Sequence, residues 1–243
     1  MSRALCAALA LLAAAVARPA RAEFKPSPRW GSFEISLGGW RPRIDNEFGG
    51  LASPYRDTFG TSKALFFRAD AAYTIYYGYG SLDIGGGLGY MEKYGKGFLQ
   101  DGQRSGDTTG LQVVPIRAHL TYRFDWLADR YGIPLAPYAR FSIDRYQWRV
   151  TNGAGNVSTT LPPTILSGNG STMGWSLSGG IALQLDFFDK QLSKDMDNST
   201  GINHTYLFVD FTKSKVNDFG SATSWDLSDS SGVQISGGLL FVF

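Results

Sequence analysis

The chain has 243 residues, with 23 basic and 21 acidic side chains, 30 glycines, 16 Phe, 12 Tyr, 6 Trp and a single cysteine. So even a charge balance gives no support to a nucleic-acid or acidic partner, and one cysteine excludes an internal disulfide framework. Glycine and aromatic content of this kind fits closely packed strands and membrane-interface belts better than a helical enzyme.

In chain order, Met1-Ser2-Arg3 is a basic start, Ala4 to Ala17 an apolar run and Ala20-Arg21-Ala22 a small-residue cleavage site. That is the plan of a secretory signal peptide over residues 1–22, since 14 apolar residues fall short of the roughly 20 a spanning helix needs. Cys6 leaves with the leader. The leader also holds three arginines, so the mature barrel domain, 23–243, carries 20 basic (23 − 3) against 21 acidic residues.

After a Pro-bearing lead at 23–30, eight strand-like stretches follow at 31–41, 63–77, 79–91, 109–124, 136–150, 172–187, 204–215 and 230–243. Their period is two, not 3.6. Leu65, Phe67, Ala69, Ala71, Tyr73, Ile75 and Tyr77 oppose Arg68, Asp70 and Thr74; Val114, Ile116, Ala118, Leu120 and Tyr122 oppose Arg117, His119, Thr121 and Arg123. The fifth stretch changes phase after Ile143, where Tyr146, Trp148 and Val150 take over, which predicts a β-bulge at Asp144-Arg145. The last stretch places Val233, Ile235, Gly237, Leu239 and Phe241 on one face and Gln234, Ser236, Gly238, Leu240 and Val242 on the other. Its terminal Phe243 resembles the signal by which outer-membrane barrels are handed to their assembly machinery.

Connections alternate in length, as in an up-and-down membrane barrel. The turn at Gly78 is a tight hairpin and belongs with both termini on the periplasmic side, which makes 42–62, 92–108, 151–171 and 216–229 outer loops. Two inner connections read as partly helical: 125–132, with Asp125 as candidate N-cap and Gly132 as terminator, and Phe188 to Met196. Tyr77, Phe124, Phe187 and Phe243 are expected to form an inner aromatic girdle, with Tyr90, Trp148 and Trp175 in an outer one.

Three segments carry a resemblance: Tyr122-Arg123-Phe124-Asp125-Trp126-Leu127-Ala128-Asp129-Arg130-Tyr131-Gly132-Ile133-Pro134-Leu135-Ala136-Pro137-Tyr138, then Gly201-Ile202-Asn203-His204-Thr205-Tyr206-Leu207-Phe208, and Asp226-Leu227-Ser228-Asp229. They resemble a family of outer-membrane β-barrel proteins best known from myxobacteria. The resemblance implies a fold and a location, without an established activity and without a catalytic residue.

The strand phases turn Glu34, Arg68, Asp70, Asp83, Arg117, His119, Arg123, Arg140, Asp144, Asp186 and Asp210 into the lumen. A barrel of about eight strands is just wide enough inside to be filled by side chains, so a buried ion-pair network that plugs the barrel is expected ahead of a solute or proton route. Catalysis finds little support. There are two histidines, His119 and His204, and neither a Gly-x-Ser-x-Gly elbow nor a His-x-x-x-His spacing. The Gly85-Gly86-Gly87-Leu88-Gly89 run precedes no helix that could hold a phosphate, and Asp195 to Gly201 mimics a calcium loop with its glycine misplaced. The sequence therefore points to an all-β, transmembrane up-and-down barrel, monomeric and non-enzymatic, in the outer membrane of a Gram-negative bacterium. Its partners would be outer-membrane lipid, the assembly machinery and an unspecified loop ligand, with no cofactor, metal or nucleic acid. The alternative function is a small channel or carrier for solutes.

Overall fold

The computed structural model describes residues 27–98, 102–159, 167–221 and 224–243; the leader and its cleavage site lie outside them. Eight strands, β1 (Gly31–Trp40), β2 (Ala64–Tyr77), β3 (Ser81–Gly95), β4 (Thr109–Arg123), β5 (Leu135–Thr151), β6 (Asn169–Gln184), β7 (His204–Val216) and β8 (Gln234–Val242), pair in sequence order and close β8 onto β1. All pairs are antiparallel. The eight-strand expectation holds. The strands differ from it mainly at the loop end, where β3 runs on to Gly95 and β6 begins at Asn169.

Register fixes the shape. Following bonded partners from Arg145 through Ile116, Leu88, Ala69, Ile35, Leu239, Leu207 and Leu183 returns to β5 at Leu135, 145 − 135 = 10 residues toward the turn end. A stagger of that size tilts the strands by about 40° and leaves a lumen only side chains can fill. Every member of the row after Arg145 is aliphatic and faces outward. On β5 the outward positions Leu135, Pro137, Ala139, Phe141 and Ile143 are apolar, and Arg145, Gln147 and Arg149 above them are not. Nine tilted residues rise about 23 Å, the height of a bilayer's hydrocarbon band. No helix among the described residues is long and apolar enough to cross a membrane.

The predicted bulge is corrected. Pairing of β5 with both neighbours runs unbroken through Asp144 and Arg145, and the register shift lies in β2, between Thr74 and Tyr76. The apparent phase change on β5 has another cause. Tyr146 and Trp148 stay on the lumen side, where the loop-end third of the interior is apolar, so Trp148 does not belong to an outer girdle; it stacks on Trp225 with ring centres 4.0 Å apart. Tyr90 and Trp175 do face outward at that end, as Phe124 and Phe243 do at the other; Tyr77 is corrected, because the β2 shift turns Tyr76 outward in its place and pairs Tyr77 with the inward Ser81, under Arg29. Phe187 belongs to a 3₁₀ turn, Leu185–Phe187, just past β6.

At the turn end β2 and β3 are joined by Gly78-Tyr79-Gly80, where Gly80 takes φ 152°. The longer connections hold helix α2 (Trp126–Tyr131), closed by Gly132 at φ 65°, and helix α3 (Lys190–Thr200). Asp189 caps α3 through the N–H groups of Gln191 and Leu192. Asp195 to Thr200 are therefore helical rather than a calcium-type loop. At the other end the first long loop contains helix α1 (Pro54–Phe59), and the carboxylate of Asp45 accepts the N–H of Tyr55 at 2.8 Å.

Candidate functional site

The interior is stacked in three tiers. In the middle, register places Glu34 opposite Asp70. Two carboxylates side by side repel, and two arginines from the facing wall neutralise them. Arg140 on β5 reaches across the lumen to Glu34 with a two-pronged contact, Nη1 to Oε1 at 2.5 Å and Nη2 to Oε2 at 2.6 Å. Arg117 on β4 holds Asp70 the same way, Nε and Nη2 each at 2.5 Å, and touches Glu34 at 3.4 Å. Such forked guanidinium–carboxylate pairs fix geometry as well as charge. Arg68 and Asp70, neighbours on one face of β2, do not pair with each other; Arg68 donates to Asp210 at 3.3 Å and Ser236 at 2.7 Å. Asp144 has no cation within ion-pair distance among the described residues and is held by hydroxyls, Ser176 at 2.6 Å and Ser142 at 3.4 Å. His119 lies with Nδ1 3.2 Å from the Thr121 hydroxyl and Nε2 3.8 Å from Asp70.

Below this tier, toward the turn end, Arg123 bridges Asp83 (3.4 Å) and Asp125 (3.3 Å), and Arg29 from the lead segment closes on Asp125 at 3.5 Å. Asp125 thus occupies an N-cap position without capping through its side chain. Asp186 is corrected: β6 ends at Gln184, and Asp186 sits in the 3₁₀ turn beyond it, outside the lumen. There it binds His204 Nδ1 at 2.5 Å and accepts the Thr205 N–H at 3.2 Å. The remaining ten predicted interior residues, Glu34, Arg68, Asp70, Asp83, Arg117, His119, Arg123, Arg140, Asp144 and Asp210, are all buried within the wall.

Above it, toward the long loops, Trp40, Phe66, Met91, Leu111, Val113, Tyr146 and Val216 form an apolar lid with Ile44 and Tyr55 of the first loop and Leu227 of the last. Trp40 stacks on Phe66 and meets Tyr146 edge-on. Burial pushes the Tyr55 phenol up to about 12, so it stays neutral in the lid. Asp229 fastens the covering loops together, accepting the Arg41 N–H at 3.3 Å and pairing with Lys63 at 3.4 Å.

What remains open at the level of the charges is a cavity of about 10 Å³ lined by Glu34, Asp70, Asp83, His119 and Arg140. That is room for about one water. Packing here is close enough that glycine is required: a Cβ on Gly87 would overlap the Asp70 carboxylate. Gly87→Ala is therefore expected to push Asp70 off Arg117 and to destabilise the barrel by about 1–3 kcal/mol, read as a lower unfolding midpoint in detergent; an unchanged midpoint would mean that Asp70 has room to move. Among the described residues no group of three His, Cys, Asp or Glu is arranged to hold a metal.

The sequence singled out the wall residues but missed Arg29, Asp125 and the whole apolar lid. Arg29 lies in a lead without strand period. The lid residues are apolar on a face expected to be polar.

No protein-family model and no curated protein matches the chain. Three solved structures similar to it are Neisserial surface protein A (13% identity, covering 90% of this chain and 99% of that one, TM-score 0.46), Ail, the attachment invasion locus protein of Yersinia pestis, in complex with the heparin analogue sucrose octasulfate (8%, 88% and 97%, 0.40), and the outer membrane protease OmpT of Escherichia coli (10%, 91% and 99%, 0.37). At these scores the likenesses assign no activity here.

Proposed function

We propose that this chain is a monomeric, non-enzymatic outer-membrane barrel of a Gram-negative bacterium that serves as a sealed scaffold, structural or surface-binding through its four long loops. The observation that carries this reading is the lumen itself: charges paired across it, an apolar lid above, and a central space of about 10 Å³. Hydrolysis would need an accessible nucleophile beside an oriented base. His119 and Thr121 come within reach of each other, but both are buried at that closed centre. His204 is taken up by Asp186, Gln184 and Arg29.

In this reading residues 1–22 direct export, the end bearing Gly78 and both chain termini is periplasmic, and Phe243 addresses the assembly machinery. Kinship with the myxobacterial barrel family belongs to the same reading. It rests on the sequence of the three resembling segments, of which 122–138 makes the β4–β5 connection, 201–208 opens β7, and 226–229 lays the last loop onto the lid.

Refolded protein in planar bilayers should give no unitary conductance steps. Regular ion-selective steps would overturn the sealed scaffold in favour of a solute channel.

A further inference from the structure

The outward face carries charges unevenly. Of five outward-pointing charged side chains on the eight strands, Glu92, Arg145, Arg149, Lys213 and Lys215, four are cations and all four lie on β5 and β7. They stand at the upper edge of the apolar belt. Lys213 pairs in register with Leu177, Lys215 with Trp175 and Arg145 with Met173. The row through Ile143, Trp175 and Lys215 climbs toward the loop end by about 3 Å per strand, which brings Lys215 level with Arg145. Two strand spacings across the row and two residues along β5 put about 12 Å between those two residues, and both side chains are long enough to meet on one group between them.

None of these cations is paired with a carboxylate among the described residues. Lys213 and Lys215 have no hydrogen-bond or ion-pair partner among the described residues, and Arg145 donates once, to the Ser171 hydroxyl at 3.2 Å. Arg149 leans away onto Gln112. The nearby carboxylates are occupied: Asp218 accepts the Met173 N–H at 2.6 Å, and Glu92, on β3, accepts from Tyr94 at 2.6 Å and from Gln112. A lone ammonium beside hydrocarbon must reach water or an anion. Three cations converging at the height where acyl chains give way to headgroups, with Trp175 and Met173 between them as apolar floor, complement a phosphate borne on an acylated lipid.

We infer that the β5–β6–β7 wall is a binding site for the phosphate of an anionic outer-leaflet glycolipid, with Arg145, Lys213 and Lys215 as its ligands. The inference rests on the outer-membrane reading above for its orientation, while its test does not need cells. The protein refolded in neutral detergent is titrated with diphosphoryl lipid A, with the same lipid after dephosphorylation, and with inorganic phosphate. A combined Arg145→Gln, Lys213→Gln, Lys215→Gln variant is compared with a charge-matched Arg56→Gln, Lys96→Gln, Arg130→Gln control, folding of each being verified by heat-modifiable gel mobility.

Diphosphoryl lipid A should bind the parent and the control alike and bind the patch variant roughly 100-fold more weakly, about one charge's contribution for each of three cations. Dephosphorylated lipid should bind no better to the parent than to the variant. Equal affinity of parent and patch variant for diphosphoryl lipid A overturns the site, as does displacement of that lipid by inorganic phosphate at comparable concentration, which would make the patch a free-anion site. A patch variant that fails to fold is replaced by the Lys213→Gln, Lys215→Gln pair, read against the same thresholds at roughly tenfold or more. Fractionation of cells settles location separately: protein in the outer membrane with unaltered lipid binding by the variant would sink the site and leave the location standing.

Discussion

Replacing Glu34 by glutamine should lower the stability of the folded barrel by about 3–5 kcal/mol, the largest effect expected of any single lumen substitution. The carboxylate receives both prongs of Arg140 and a third contact from Arg117, and it is buried. Without it two guanidinium groups face each other in a space with room for about one water, and a buried charge left without its partner is costly. Removing both members tells the pair's cost from its contribution: Glu34→Met with Arg140→Met should return most of the lost stability, because a buried pair often does no better than well-packed apolar side chains of like volume. Denaturant midpoints in detergent give both numbers. A Glu34→Gln protein as stable as the parent would show that water reaches the lumen freely, and conductance should then appear as well.

That the effect is placed on Glu34 shows what period two could and could not convey. Alternation tells which side of a strand faces inward, and for β1, β4, β7 and β8 that was enough to put the right residues in the lumen. It does not tell height. Partners across a barrel are set by the stagger accumulated over all eight pairs, so Arg68 and Asp70, though neighbours on one face of β2, go to different partners, Arg68 to Asp210 and Asp70 to Arg117. Alternation was also read through an assumption that lipid faces are apolar and lumen faces polar. Tyr146 and Trp148 break that assumption without breaking the strand, because the loops bring their own apolar side chains, Tyr55, Trp225 and Leu227, down onto the lumen rim. A rule about solvent cannot see a lid made by segments far away in the chain. Asp186 failed for a simpler reason: the pattern was extended two residues past the point where the backbone turns into a 3₁₀ turn, and strand ends are where pattern is weakest.

Phe243→Ala should sharply reduce the amount of protein assembled in the outer membrane of cells while leaving refolding into detergent close to normal. The structure separates two roles at this position. The backbone closes the barrel: Trp30 N–H donates to the Phe243 carbonyl at 2.7 Å, and Phe243 N–H donates to Gly31 at 2.9 Å. The ring does less, resting at the outer wall against Trp30 with centres 5.7 Å apart. Truncating the chain would remove both together, so substitution is the cleaner test. Loss of the ring forfeits at most the burial of one side chain, about 1.5–3 kcal/mol, and the wall keeps Leu239, Phe241 and Ile235 on the same face. A defect in cells far larger than the defect in vitro therefore has to come from a recognition step that folding into detergent does not contain. Matching defects in the two assays would make the ring an ordinary packing residue of the β1–β8 seam. Normal levels in cells would mean that the assembly machinery does not read this terminal aromatic at all, and the strand's outward series from Ile235 to Phe241 would be the next place to look for the signal.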